Sequence, residues 1–192
     1  MADAHNDGAG RDREAGFDAE FREYMAARWP VLLRTAVLLT GDRQTAEDVV
    51  QTALTRVYAS WRRVRKVEDV DAYVRRVLVN AHLSRFRKKR VVEHLTDVVP
   101  ESQGPDVHVT AEQRAALLAA LAELPARQRA VVVLRYWEDM TESQVADVLR
   151  CSVGTVKSQA SKGLARLRNS AALYDPQEIR TASAGLGKGR YE

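Results

Sequence analysis

The sequence predicts an all-α protein: two small helical domains joined by a flexible linker. Three observations carry this. Apolar residues recur at the three- and four-residue spacing of an amphipathic helix over most of the chain. No stretch alternates apolar and polar residues at the period of two that a half-buried strand needs. Between Val91 and Val109 the period is lost and Pro100, Gly104 and Pro105 appear, so two periodic halves flank an aperiodic joint. The expected organisation is a disordered N-terminus over residues 1–16, a first domain over 17–90, a linker over 91–109, a second domain over 110–169 and a flexible tail over 170–192.

Composition bounds the function without choosing it. A 192-residue chain that is 45% hydrophobic can fill one core or two small ones, and aromatics at 6% leave those cores mostly aliphatic. A net charge of +4 permits a polyanionic partner. The single cysteine, Cys151, excludes an internal disulfide and fits a reducing compartment. The first sixteen residues lack the apolar core of a signal peptide, and no stretch has the length of a membrane span. A soluble cytoplasmic protein without membrane insertion is expected.

From Phe17 the helical spacing runs through Phe21, Tyr24, Met25 and Trp29. Pro30 removes a donor and clashes with the preceding turn, so a break is expected there, with Pro30 opening the next helix. That helix continues through Leu32, Leu33, Ala36, Val37 and Leu39 to Gly41. Asp42 can cap a helix with the clearest period in the chain: Ala46, Val49, Val50, Ala53, Leu54, Val57, Tyr58 and Trp61 form one stripe. Its outer face carries Glu47, Asp48, Gln51, Thr52 and Thr55. A loop dense in cations comes next, and Asp69 caps a helix with Val70, Tyr73, Val74, Val77, Leu78 and Ala81 inward. Outward it shows Arg75, Arg76, Asn80, Ser84, Arg85 and Arg87, running into Lys88, Lys89 and Arg90. Residues 61–90 hold eleven lysines and arginines against Glu68, Asp69 and Asp71, a balance of +8 and twice that of the whole chain. Such a patch is the electrostatic footprint of nucleic-acid binding, and a solvated basic face is the alternative.

Beyond the linker, Thr110 and Gln113 fit a capping box before Leu117, Leu118, Leu121 and Leu124. Pro125 interrupts, and a helix is expected over Ala126–Trp137 with Val133, Leu134 and Trp137 in the core. Thr141 and Gln144 fit a second capping box, with Val145, Val148 and Leu149 as its apolar stripe. The pattern breaks at Cys151, and Ser152 can cap a last helix buried through Val156, Ala160, Leu164 and Leu167. The other face of that helix carries Thr155, Lys157, Ser158, Ser161, Lys162 and Arg166, and from Ser152 to Ser170 there is no acidic residue. Two helices across a tight turn, the second bearing hydroxyls and cations, suit the DNA major groove; an ordinary helical hairpin is the alternative.

The residues are more specific than the pattern. LPARQRAVVVLRYWEDMTESQVADVLRCSVGTVKSQASKGLARLR resembles region 4 of bacterial RNA polymerase sigma factors, within the extracytoplasmic-function group. FREYMAARWPVLLRTAVLLTGDRQTAEDVVQTALTRVYASW followed by DVDAYVRRVLVNAHLSRFRKKR resembles region 2, in the manner of the actinobacterial SigE family. The resemblance spans about Phe21 to Arg168, with both regions in the expected order. It implies a promoter-specificity subunit with core RNA polymerase and promoter DNA as partners and an anti-sigma protein as a further one. Glu47, Asp48 and Gln51 would dock on the clamp helices of the largest subunit, and the flap would be a second contact. The loop from Arg62 to Val70 and the helix after it would recognise and open the −10 element. Asn80 and Ser84 would approach unstacked bases, and Arg85, Arg87, Lys88 and Arg90 would bind phosphates. Lys157, Ser158, Ser161 and Lys162 would enter the major groove of the −35 element, with Thr155 and Arg166 on phosphates. Lysine there lacks the planar fork by which arginine reads guanine.

No catalytic constellation is present and no cofactor is expected. Glu47 and Asp48 converge with no His or Ser, there is no Gly-rich phosphate loop, and His82, His94 and His108 lack metal-ligand spacing. Cys151 is expected to pack as a small apolar group in the turn, and Trp29, Trp61 and Trp137 as core anchors. A stand-alone DNA-binding regulator is the rival reading, but it leaves the +8 loop and helix without a role.

Overall fold

The structure, a computed structural model, describes residues 6–92 and 111–173, with side-chain surroundings for 16–85 and 111–173. All regular elements among the described residues are helical. They form two compact units, the first holding the helices before the linker and the second those after it apart from Val148–Arg150.

The first unit consists of α1 (Asn6–Thr40), α2 (Arg43–Ala59), the single turn α3 (Trp61–Val64) and α4 (Val70–Val92). Helices α1, α2 and α4 pack mutually around Leu32, Ala36, Leu39, Val49, Val50, Leu54, Val74 and Leu78, all buried. The turn from α1 to α2 passes through Gly41 at φ +89°, a left-handed conformation that favours glycine. Asp42 then caps α2, its Oδ1 accepting from Thr45 N–H at 2.7 Å. An aromatic cluster closes the far end: Phe21 lies 5.0 Å from Tyr58 and 5.2 Å from Trp61, and Tyr24 lies 5.0 Å from Trp61. Tilted rings at such distances add about 0.5–1.5 kcal/mol per pair beyond burial.

Three expectations for this unit are corrected. Residues 6–16 continue α1 rather than being disordered; once a helix is nucleated by packing downstream, each added residue costs little. Pro30 lies inside α1 rather than starting a new helix. Its ring is exposed, and the flanks on both sides, Phe21 on one and Leu32, Ala36 and Leu39 on the other, are buried. Tertiary packing on both sides therefore outweighs the proline penalty of about 3 kcal/mol. Finally, α2 stops at Ala59. Ser60 leaves helical geometry at φ −116° and ψ 9°, its hydroxyl donates to the carbonyls of Arg56 and Val57, and Trp61 begins α3. Trp61 nonetheless stays in the core.

The second unit consists of α5 (Ala111–Ala122), α6 (Ala126–Val132), α7 (Glu142–Leu149) and α8 (Val153–Arg168). The linker from residue 93 and Thr110, with its expected capping box, lie outside the described residues, as does 174–192. The helix expected over Ala126–Trp137 widens into a π-helical turn at Val133–Trp137, with Glu138 N–H reaching back five residues to the Val133 carbonyl at 3.1 Å. The wider turn rotates the residues at its end out of the regular helical register. Val133 and Leu134 are buried as expected, but Trp137 is 48% exposed and Tyr136 56%, so Trp137 is not a core anchor.

Arg129 is buried and donates from Nη2 to the Ala122 carbonyl at 2.7 Å and the Leu124 carbonyl at 3.2 Å. It thereby ties α6 to the end of α5 across Pro125. Burial lowers its pKa to about 10. Ser170, expected to open the flexible tail, is buried and donates to Glu123 Oε1 at 3.0 Å, and the 3₁₀ turn at Ala171–Leu173 packs on α5.

Candidate nucleic-acid interface

The basic face of the first unit is built on α4. Asp69 Oδ1 accepts from Ala72 N–H at 2.8 Å and fixes where the helix starts. Val74, Leu78, Val79, Ala81 and His82 turn inward. Asn80 and Ser84 are left half-buried, one helical turn apart, beside exposed Arg85. Both were expected on the exposed side of the helix, and the structure leaves them only partly accessible. Arg87, Lys88 and Arg90 belong to the same helix, but their side chains lie outside the described set. The start of α4 is tied to α1 through Asp71, which pairs with Arg28 and accepts from the Tyr24 hydroxyl at 2.8 Å. Burial, then the carboxylate, pushes that phenol above its usual range.

The residues expected to meet polymerase occupy the outer face of α2. Glu47 holds Arg43 at 2.9 Å one turn back. Asp48 reaches across to Arg85 at 3.2 Å, joining a residue expected at the polymerase to one expected at DNA. Gln51 is exposed on the lip of a groove of about 520 Å³ between α1 and α2, floored by Phe21, Met25, Trp29, Leu54 and Tyr58. The stretch expected as a loop after α2 begins with the helical turn α3, and it holds two different kinds of arginine. Arg63 is exposed, while Arg65 pairs with Glu20 at 2.6 Å, and Arg62 and Arg65 both lie over the Phe17 ring.

In the second unit, α7 and α8 form the hairpin. Thr141 and Gln144 complete both bonds of a capping box, at 2.8 and 3.2 Å. Arg150 adopts φ +50°, the left-handed position that ends α7, and half-buried Cys151 comes next. Ser152 Oγ then accepts from Thr155 N–H at 3.1 Å and starts α8. Val156 is fully buried, whereas Ala160, Leu164 and Leu167 are only half-buried. The tightest approach is instead at Gly163, where a Cβ would stand 2.8 Å from Val132 Cγ2. A missing side chain leaves no apolar period to read, so nothing in the residue pattern signals this contact.

The outward side of α8 presents Lys157, Ser158, Ser161 and Lys162 to solvent. Lys157 makes a loose pair with Glu142 at 3.6 Å, and Ser158 donates to the Thr155 carbonyl at 3.0 Å. Thr155 spends its amide and hydroxyl on the Ser152 cap. Arg166 reaches Gln128 Oε1 at 2.7 Å and so braces α8 on α6. Expected at phosphates, both residues therefore carry structural bonds as well. The arrangement offers cations and hydroxyls along one rigid helix face, the chemistry of groove recognition. Among the described residues no group of His, Cys, Asp and Glu could hold a metal.

Comparison with known proteins agrees with this division. Sigma-70 region 2 matches residues 26–91, and sigma-70 region 4 matches residues 114–167. The chain is similar to an RNA polymerase sigma-E factor of Streptomyces coelicolor, 40% identical over 81% of this chain and 88% of that one. It is similar also to an extracytoplasmic-function sigma factor, SigL, of Mycobacterium tuberculosis, 31% identical over 84% and 92%. A sigma factor of Bartonella quintana, solved in complex with the anti-sigma factor NepR, shares the fold with a TM-score of 0.65 at 23% identity, over 78% of this chain and 95% of that one.

Proposed function

The chain belongs to the sigma-70 family of RNA polymerase sigma factors, in its extracytoplasmic-function group, and on that premise we propose which of its surfaces meet polymerase and which meet promoter DNA. As a promoter-recognising sigma factor it binds core polymerase and directs it to the −10 element through region 2 and the −35 element through region 4. Glu47, Asp48 and Gln51 on the outer side of α2 dock against the clamp helices. Asn80 and Ser84 on α4 meet unstacked bases, with Arg85, Arg87, Lys88 and Arg90 on the backbone of the opened strand. Lys157, Ser158, Ser161 and Lys162 enter the −35 major groove, and Thr155 and Arg166 flank them at phosphates. The bond chemistry is the polymerase's; this chain contributes binding and opening.

The observation that carries this reading is the exposed row Lys157, Ser158, Ser161 and Lys162 on a helix whose opposite side is fixed by Val156 and Gly163. Opening and duplex recognition separate by unit, which gives the test. Lys162→Ala weakens binding to −35 duplex by about 1–3 kcal/mol. Asn80→Ala leaves that binding intact and lowers strand opening, read by permanganate reactivity of the holoenzyme complex. Normal opening by Asn80→Ala would remove the assignment of the α4 face. No helix among the described residues is long and apolar enough to cross a membrane, and the chain acts with polymerase in the cytoplasm. The Bartonella relative was solved with an anti-sigma factor; a protein of that class is the regulatory partner this fold supports, and recovery of polymerase alone from the host would argue against one.

A further inference from the structure

The basic stretch after α2, from α3 into the loop that follows it, is already engaged within the chain itself. Phe17, Asp18 and Glu20 share one turn of α1 above it. Glu20 Oε2 accepts from Arg65 Nη1 at 2.6 Å. The Phe17 ring centroid lies 5.5 Å from the Arg62 guanidinium and 5.7 Å from that of Arg65. Asp18 Oδ1 accepts from the Tyr58 hydroxyl at 2.7 Å and pins the turn in place. A π face and a carboxylate presented to two guanidinium groups are what a nucleotide presents: a base to stack upon and an anion to pair.

The contacts are not needed to close the core. Phe21, one turn further on, is the aromatic residue buried there, while Phe17, Asp18 and Glu20 remain half-buried at the rim. Nor are they strong. The Glu20 and Arg65 side chains are 43% and 39% exposed, so solvent screens the pair and a run of phosphates can displace it. We infer that the segment Phe17–Glu20 is an intramolecular nucleotide surrogate that occupies Arg62 and Arg65 until promoter DNA displaces it. The inference rests on the reading that the Arg62–Val70 loop meets the −10 strand.

Fluorescence anisotropy of the full-length protein, with a labelled single-stranded DNA of mixed sequence at low salt, tests this. Glu20→Gln, a conservative change at an exposed site, tightens binding about two- to fivefold, the range an exposed ion pair can hold back. Arg65→Ala weakens binding, and Glu20→Gln added to it has no further effect. If Arg65→Ala weakens binding but Glu20→Gln does not tighten it, the surrogate is overturned while the loop assignment stands. If Arg65→Ala changes nothing, the loop assignment fails and takes the surrogate with it. Equal tightening by Glu20→Gln in both backgrounds would also overturn it, since the effect would then be lost negative charge and not a freed arginine.

Discussion

At Gly163 an absent atom sets how closely α8 approaches α6. A Cβ built there would stand 2.8 Å from Val132 Cγ2, on a buried β-branched side chain with little freedom to turn away. Alanine is the better helix former by about 1 kcal/mol, but overpacking costs about 1–3 kcal/mol, so the clash decides the sign. Gly163→Ala should lower stability by about 1 kcal/mol in denaturant unfolding, and adding Val132→Ala should relieve that clash; a more stable Gly163→Ala would show that α6 and α8 are not pressed together. Arg129 is a second residue of this kind. Its guanidinium holds the Ala122 and Leu124 carbonyls, and Arg129→Ala should cost about 2–3 kcal/mol by leaving buried acceptors without their donor. Neither residue was legible in the sequence. A glycine and an arginine both interrupt an apolar period, and only the packing of other elements around them reveals that they are buried.

At the scale of elements, what the chain states locally can be read and what depends on neighbours cannot. Asp42, Asp69, Thr141 with Gln144, and Ser152 each carry their helix start within a few residues, and the structure makes all four caps. Proline at 30 is a local signal as well, but here it loses to packing on both of its flanks. Pro30→Ala should therefore restore a hydrogen bond within α1 and raise stability by about 1–2 kcal/mol, read as a higher denaturation midpoint. A loss of stability would mean that the proline supplies a bend the first unit needs. The π-helical turn at Val133–Trp137 is the converse case. Trp137 reads as a core residue in any helix of regular pitch, and only the added residue in that turn brings it to the surface.

The whole molecule was legible in its division into two helical units and in the side of α8 left exposed, because the two periodic halves and the acid-free helix after Ser152 are properties of sequence alone. The ion pairs within the first unit were not. That Asp48 holds Arg85 and that Glu20 holds Arg65 depends on helices brought together by folding. The central claim is that both units serve polymerase at a promoter, and reconstitution tests it most directly. The protein is mixed with core RNA polymerase freed of other sigma subunits, and run-off transcription is read on genomic fragments. Discrete transcripts that require this protein, with start sites sharing −10 and −35 elements, are the predicted result. Failure to bind core polymerase, together with tight binding to duplex DNA by the protein alone, would contradict it.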